Sequence, residues 1–314
     1  MKYFIPIIFL LLLYAGCRDF MEIPDTGRRI VINGLITNDS LLNVRIGTSA
    51  YILNFESGTT ERQQDLKDAE VKIYQNENYI DSLYHTYTAF YDSWNVFVPG
   101  NYQSQKLIVK EGNEYFITVK AHGLPEANAH TKVPEIVKIE SIDTSHIILP
   151  PGEFDFSNTG LSCKIHFTDP PNIINYYLLT VNKVPAARPF YSNIEFNCKD
   201  PVIEETLHSR VIEGIAFSDK VINGQTYALS LIIRDESIAY VQTAQTNDGK
   251  FSLYFRLYSI PEEYFRYIRT LNQYSRNFGN PLADPVMMFS NITGGFGMFT
   301  GAAVSSVSIN YSEK

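Results

Sequence analysis

The chain has 314 residues, with 26 Lys or Arg against 34 Asp or Glu and a formal net charge of −8. This balance, with no dense Lys/Arg cluster, argues against nucleic acid or an anionic membrane surface as a direct partner, because both select basic patches. The 21 Tyr and 20 Phe favour β-strands, and a minority of them are candidates for stacking on a sugar or a peptide.

The N-terminus has the pattern of an export signal. Lys2 precedes an apolar run at residues 5–13, and small residues follow it directly before Cys17. The run is much shorter than the roughly 20 residues that span a bilayer as a helix. The small-small-Cys ending resembles a bacterial lipobox, so we expect residues 1–16 to be a signal peptide, Cys17 to be lipidated and residues 17–29 to form a tether. The alternative is an ordinary secretory signal with an incidental cysteine.

The N-terminal half reads as short strands separated by turns. Its strand-like segments carry β-branched and aromatic residues with partial period-two alternation: RRIVINGLIT, NVRIGTS, DAEVKIY, YIDSLY, FYDSWNVFV and EYFITVKAHG. Hairpin loops are predicted at residues 75–78 and 111–113. We therefore expect residues 30–134 to form an antiparallel β-sandwich of immunoglobulin-like or prealbumin-like type.

Residues 135–314 continue the all-β pattern as a second, C-terminal β-rich domain, so the expected fold class is mainly β. Further strands are predicted at IVKIESIDT, LSCKIHFT, NYYLLTVNKV, IEFNC, QTYALSLIIR and KFSLYFRLYSI. One helix is predicted near residues 260–277, with Ser259 as N-cap and Glu262 completing a capping box. Its apolar-aromatic stripe indicates packing against the protein's own sheet. PVMMFSNITGGFGMFTGAAVSSVSIN is predicted to close the chain with a strand, a glycine-rich turn and a final strand.

Cys163 and Cys198 remain once Cys17 is assigned to lipid. Both lie in strand-like segments of an exported chain, where disulfides persist. A bridge between them and a pair of separately buried thiols are equally compatible with the sequence.

The C-terminal segments, above all NPLADPV and SNITGGFGMF, resemble a family of exported Bacteroidota lipoproteins catalogued as domain of unknown function 4249. VINGLIT, DAEVKIY and EGNEYFITVKAHG fit the same family, so the resemblance covers essentially the whole mature chain. It implies a lipid-anchored protein of the outer membrane, on its surface or facing the periplasm, and a TonB-dependent receptor as partner. Lipoproteins beside such receptors capture or hand over a glycan, a peptide or a similar nutrient. The resemblance supplies no catalytic residues.

The sequence contains no catalytic constellation, no metal-ligand spacing among its six histidines and no cofactor fingerprint. We therefore expect a protein that is not an enzyme, with no cofactor. Candidate ligand or partner contacts are Trp94, as a sugar platform, and Asn280, Asp284 and Asn291, which lie beside glycines that permit close approach. The structural alternative, which we favour, is that these glycines make a turn while the polar residues cap backbone groups.

Ser40 and Ser82 each follow an Asp and precede a Leu, which resembles the O-glycan acceptor motif of exported proteins in this phylum. The function that these observations favour is that of an accessory to a nutrient importer. We expect exposure at the cell surface, although the tight acidic run that often marks surface export in this phylum is missing. The alternatives are an adhesive or structural surface protein and, third, an undescribed hydrolase.

Overall fold

The computed structural model describes residues 27–49, 65–86, 100–150, 158–186, 192–203, 214–242, 250–277, 283–284 and 286–312. Within them the chain is mainly β, as predicted. The strands are β1 (Ile30–Thr37), β2 (Leu41–Thr48), β3 (Glu70–Gln75), β4 (Asn78–His85), β5 (Tyr102–Ile108), β6 (Glu114–Lys120), β7 (Ala127–Lys132), β8 (Ile139–Ile148), β9 (Thr159–Thr168), β10 (Tyr176–Val184), β11 (Ile215–Ser218), β12 (Thr226–Arg234), β13 (Lys250–Ile260) and β14 (Phe296–Ser312). The helices are α1 (Asp235–Tyr240) and α2 (Glu262–Asn277).

Eleven of these strands form one continuous hydrogen-bonded series, in the order β11-β10-β13-β14-β1-β2-β5-β4-β3-β6-β7, and β12-β9-β8 form a second sheet. The long last strand joins the two halves of the series. Its first part pairs with β1 in parallel, up to Thr37 opposite Ala302, and its second part pairs with β13, from Ser259 opposite Ala303 onward. The other strand pairs of the described chain are antiparallel.

The first core lies inside the N-terminal part of the long sheet. It contains Ile32 of β1, Val44 of β2, Ile73 of β3 and Ile117 of β6, all buried in one cluster. Strands at both ends of the β1-to-β7 series thus contribute to the same interior, so this part of the sheet folds back over itself as two layers. Alternation along each strand turns one set of side chains inward and the other outward.

The second core lies between the three-stranded sheet and the C-terminal part of the long sheet. Ile165 of β9 and Leu231 of β12 share a buried cluster with Val181 of β10 and Leu253 of β13. The opposite face of the long sheet is covered by α2. Four residues of the predicted stripe pack on the sheet, namely Tyr264, Tyr267, Ile268 and Leu271. The fifth, Tyr274, is 43% exposed.

The chain passes from the first core to the second shortly after β7. Val133 belongs to the first core and Val137 to the second. However, Ile292, Phe299 and Ala303 from the end of the chain complete the first core. The N-terminal sandwich is therefore built from two separate parts of the sequence.

Three local predictions differ from the structure. Ser259 is not the N-cap of α2, because β13 continues to Ile260 and the Ser259 hydroxyl accepts a hydrogen bond from the Val137 amide. IEFNC is not a strand: within it Asn197 makes one isolated bridge, to Ile232, and a second bridge involves Asn193 directly before it. Residues 286–290 are not a strand but irregular chain along α2, where the Phe289 amide donates to the Thr270 hydroxyl. FYDSWNVFV lies outside the described residues.

Candidate functional site

The most distinctive surface of the described chain is a line of four rings across the outer face of β4, β3, β6 and β7. Tyr79 lies opposite Tyr74, Tyr74 opposite Phe116, and Phe116 opposite His130. Each strand contributes one ring, so the line crosses the strands at a right angle. We call Tyr79, Tyr74, Phe116 and His130 the aromatic row.

The alternation of the strands places these rings outside. Ile73 and Ile117 are fully buried on the inner face, so their neighbours Tyr74 and Phe116 point to the outer face. At the end of the row, β3 and β4 are joined by a two-residue turn whose central residues both have positive φ. Such a turn fits the right-handed twist of a hairpin and fixes Tyr74 opposite Tyr79.

Three of the four rings contact each other, and the surface stays open to solvent. The Tyr74 ring centroid lies 5.8 Å from that of Tyr79, edge-on, and 5.8 Å from that of Phe116. Tyr79 is 55% exposed. A shallow depression of about 420 Å³ is lined by Tyr74, Phe116 and His130 of the row together with Glu77 and Glu114. The row therefore combines apolar ring faces with carboxylate acceptors.

Hydrogen bonds between two loops hold one end of the row in place. The Asn76 side chain accepts from the Glu114 amide at 3.0 Å and donates to the Asn113 side chain at 2.8 Å. Glu114 in turn lies 3.3 Å from His130, Oε2 to Nε2. The β3–β4 turn and the start of β6 are thus joined through side chains, which limits the motion of the rings that they carry.

Rings arranged in this way can bind a ligand by stacking, while the carboxylates accept hydrogen bonds from its polar groups. They do not form a catalytic arrangement that we recognise. Within the residues that the structure describes, no group of three or more His, Cys, Asp or Glu side chains is placed to hold a metal ion.

Asn291 has a structural position. Its amide nitrogen donates to the Phe299 carbonyl at 2.7 Å, and its side-chain oxygen accepts from the Phe299 amide at 3.0 Å. Asp284 is exposed, and its backbone carbonyl accepts from the Asn277 side chain. The Asn291 side chain also donates to the His130 carbonyl at 3.4 Å, so it contacts the backbone at the end of the aromatic row. Trp94, Asn280 and Cys17 lie outside the described residues.

The glycines near Asn291 permit close approach between backbones, and no hairpin of two strands forms there. A Cβ on Gly294 would lie 2.2 Å from the Glu126 carbonyl oxygen, and one on Gly295 would lie 2.3 Å from that of Ile30. Both glycines thus let the chain enter β14 between β1 and β7. Their role in the described chain is to seat the last strand.

Ser40 and Ser82, the candidate O-glycan acceptors, occupy different surroundings. Ser40 is exposed in the turn between β1 and β2, where its hydroxyl lies 2.9 Å from that of Thr37. Ser82 lies on β4, and its hydroxyl is 3.0 Å from the Tyr79 hydroxyl at the end of the aromatic row. A glycan on Ser82 would therefore adjoin the row.

Cys163 and Cys198 are free, buried thiols in this structure. Cys163 pairs with Leu231 of β12 on one side, while Asn197 pairs with Ile232 on the other, so β12 runs between the two cysteines. The two cysteines are therefore separated by two strand spacings of about 4.8 Å each. Together these spacings exceed the roughly 7 Å between Cα atoms that a disulfide tolerates. Burial raises the pKa of Cys163 to about 12 and that of Cys198 to about 11.

The fold and surface described above define a two-sandwich β protein with an exposed aromatic surface. The chain matches the profile of the family described as Domain of unknown function (DUF4249) over residues 18–308, and it belongs to that family. The comparison with curated proteins found no match. Neither described helix is long and apolar enough to cross a membrane.

Sequence reasoning did not find the aromatic row. Its four residues come from positions 74 to 130 of the chain, and only the strand register brings them together. One signal for it was present in two of the predicted strands. There the alternation places Tyr74 and Phe116 on the outer face, beside isoleucines on the buried face.

Proposed function

We propose that this protein is a lipid-anchored binding protein of the outer membrane that captures a ligand for a TonB-dependent nutrient importer. The observation that carries the binding role is the aromatic row. Folding does not require four neighbouring rings to lie on the solvent-facing side of a sheet, so their position there supports a binding role. The anchor and the importer rest on the N-terminal pattern at Cys17 and on the resemblance described above.

The chemistry of the row favours a glycan as the ligand. Three strand spacings of about 4.8 Å give the row a length of about 14 Å, which suits an extended, short oligosaccharide. Apolar faces of sugar rings can stack on Tyr74 and Phe116, while hydroxyl groups donate to Glu77 and Glu114. The two carboxylates disfavour anionic sugars, so we expect a neutral glycan.

The binding role is tested with the mature chain carrying Cys17→Ser, screened against neutral and acidic oligosaccharides, with calorimetry on the best binder. Loss of one stacking ring costs about 1 kcal/mol or somewhat more, so Tyr74→Ala or Phe116→Ala should weaken binding about tenfold. Tyr240→Ala is the matched control, because Tyr240 is 89% exposed on α1, away from the row. Equal affinity in all variants would remove the row from the binding site.

The importer role needs a separate experiment. The wild-type protein is extracted from native membranes in mild detergent through a C-terminal tag, and accompanying proteins are identified by mass spectrometry. We expect a TonB-dependent receptor in the eluate and loss of membrane association for Cys17→Ser. Recovery of the lipidated protein alone would favour a free-standing binding or adhesive function.

A further inference from the structure

The second sheet has a long edge that no described strand covers. Its order is β12-β9-β8, so β8 pairs on one side only. The start of β8 is held by the long sheet, because the Ile139 amide donates to the Ser305 hydroxyl at 2.9 Å. The strand then continues to Ile148, whose side chain is 82% exposed. We call the unpaired side of Ile142–Ile148 the β8 edge.

The register decides which backbone groups of β8 point away from β9. It is uninterrupted from Ser141 to Ile148, and directly after it the Leu149 amide donates to the Asn158 carbonyl at 2.6 Å. The hydrogen bonds of an antiparallel pair recur at every second residue. The residues that bond to β9 are therefore Ser141, Asp143, Ser145 and Ile147. The residues between them direct their amides and carbonyls to the β8 edge, and these are Ile142, Thr144, His146 and Ile148.

The other edges of the described sheets are covered or short. Along β7, Asn128 exchanges two backbone hydrogen bonds with Thr293, at 2.8 and 3.0 Å. Along β12, Ile232 exchanges two with Asn197, both at 2.8 Å. β11, at the remaining end, has four residues. Because an uncovered edge is a template for pairing with another chain, the β8 edge is the place in the described chain where such pairing is expected.

The β8 edge also lacks the usual features that prevent edge pairing. It contains neither proline nor lysine, and the irregularity of β8 lies before it, between Ile139 and Ser141. Its one carboxylate, Asp143, is turned to β9, where its Oδ2 atom lies 2.8 Å from the His166 Nε2 atom. Charges, prolines and bulges are what commonly protect an exposed strand, so this edge is open to a partner.

A second copy of β8 completes the edge in an antiparallel register. With a two-fold axis beside Ser145, Thr144 of each copy lies opposite His146 of the other, and Ile142 lies opposite Ile148. All residues that direct backbone groups to the edge are then paired with each other, and each amide meets a carbonyl. Such an interface is isologous and closes on itself, so it ends at a dimer.

The side chains favour this register over its neighbours. Exposed Ile148 gains an apolar partner in Ile142, twice by symmetry, and Asp143 lies opposite Ile147, so no like charges meet. An axis beside His146 would place two imidazoles opposite each other. An axis beside Thr144 would place Ile142 against His146. Apolar cross-strand pairs stabilise a sheet, whereas like charges directly opposite destabilise it.

We propose that two copies of this protein pair through the β8 edge, antiparallel about a two-fold axis at Ser145, and join their three-stranded sheets into one. The aromatic row lies on β4, β3, β6 and β7 of the other sandwich, so both rows stay accessible in the dimer. Two rows would bind a repeating glycan with higher avidity than one. This last consequence rests on the proposed function, whereas the pairing does not.

The first test is sedimentation equilibrium of the mature chain with Cys17→Ser over a wide range of concentrations. Thr144→Pro removes an amide that points to the β8 edge and leaves the bonds to β9 in place, and proline is tolerated in an edge strand at such a position. Thr144→Val is the matched control, because it keeps the amide and a β-branched side chain.

We expect a monomer–dimer equilibrium for the parent and for Thr144→Val. Association of Thr144→Pro should be at least about tenfold weaker, since one backbone hydrogen bond is lost in each of two symmetric positions. Circular dichroism and urea unfolding establish that the variant is folded. A parent that stays monomeric at every concentration, or a folded Thr144→Pro variant that associates equally well, would overturn the proposal.

The second test locates the axis and does not depend on the proline variant. In the proposed register the two Ser145 residues form a non-hydrogen-bonded pair, with Cα atoms about 4.5 Å apart, which a disulfide can bridge. Ser145→Cys is therefore oxidised in the chain with Cys17→Ser. Ser141→Cys is the matched control, because it is also exposed on the same face of β8, but its two copies would be roughly 27 Å apart.

We expect a disulfide-linked dimer of Ser145→Cys on a non-reducing gel, and none for Ser141→Cys or for the parent with its two buried thiols. No linkage at residue 145, or equal linkage at both positions, would refute the register. Neither test includes an oligosaccharide or a membrane, so failure of the dimer is distinguishable from failure of the proposed function.

Discussion

Substitution of Asn291 tests whether this residue holds the last strand in place. The pairing of β14 with β13 begins at Ala303. Phe299 comes before that point, so β13 does not pair with it. The Asn291 side chain fills the open edge instead, because it binds both the amide and the carbonyl of Phe299. Asn291→Ala would leave both backbone groups without these partners.

The size of the effect follows from burial. The Phe299 side chain is fully buried, and an unsatisfied buried polar group costs about 1–3 kcal/mol. Two such groups, partly compensated by water, give an expected loss of about 2–4 kcal/mol in the free energy of unfolding. Asn291→Asp should cost at least as much, because its carboxylate cannot donate to the Phe299 carbonyl.

Urea unfolding, followed by circular dichroism, measures this loss. For a two-state transition, the slope of the free energy of unfolding against urea concentration should be the same in the variant and the parent. Asp284→Asn is the control, because Asp284 is exposed and the Asn277 side chain binds its backbone carbonyl, which the substitution leaves in place. A free energy of unfolding for Asn291→Ala within about 0.5 kcal/mol of the parent would refute the structural role, since that is the range of surface substitutions.

Three further results are expected. Tyr264→Phe should stabilise the protein by about 1 kcal/mol in urea unfolding, because it removes a buried hydroxyl that has no hydrogen-bond partner; a destabilised variant would contradict this. In a chain without Cys17, neither Cys163 nor Cys198 should react with a thiol reagent at pH 8 while the protein is folded, since burial raises the pKa of both thiols. After denaturation, mass spectrometry should count two labels. Gly297→Ala should destabilise by more than Gly123→Ala, because both glycines have positive φ but only a Cβ at Gly297 would clash with a neighbouring backbone; equal thermal unfolding would refute the close approach.

Much of the fold could be predicted because local periodicity reflects burial. The β6 segment, Glu114–Lys120, alternates buried and outward positions along its length, and the α2 stripe repeats at helical spacing. The start of α2 was missed for a tertiary reason. Ser259 has the right spacing from Glu262 for a capping box, but its pairing with Ala303 extends β13 past it.

The candidate site was less accessible to sequence reasoning. Tyr74 and Phe116 look like ordinary strand residues, because β-strands are rich in aromatic side chains whether these are buried or exposed. The register between β3 and β6 decides that they are neighbours. By contrast, Asn291 drew attention through its unusual surroundings, yet its side chain is used for backbone hydrogen bonds.

The parallel pairing of β1 with β14 explains why the chain cannot be divided at one point. No local pattern in β14 indicates that its partner is the first strand, because the two are separated by almost the whole sequence. Phe299 on β14 belongs to the first core, while Val307 on the same strand packs against the second. β1 is held between β2 and β14. A force applied at the start of β1 would therefore act on a strand inside the sheet, and the aromatic row is connected to that strand through continuous strand pairing.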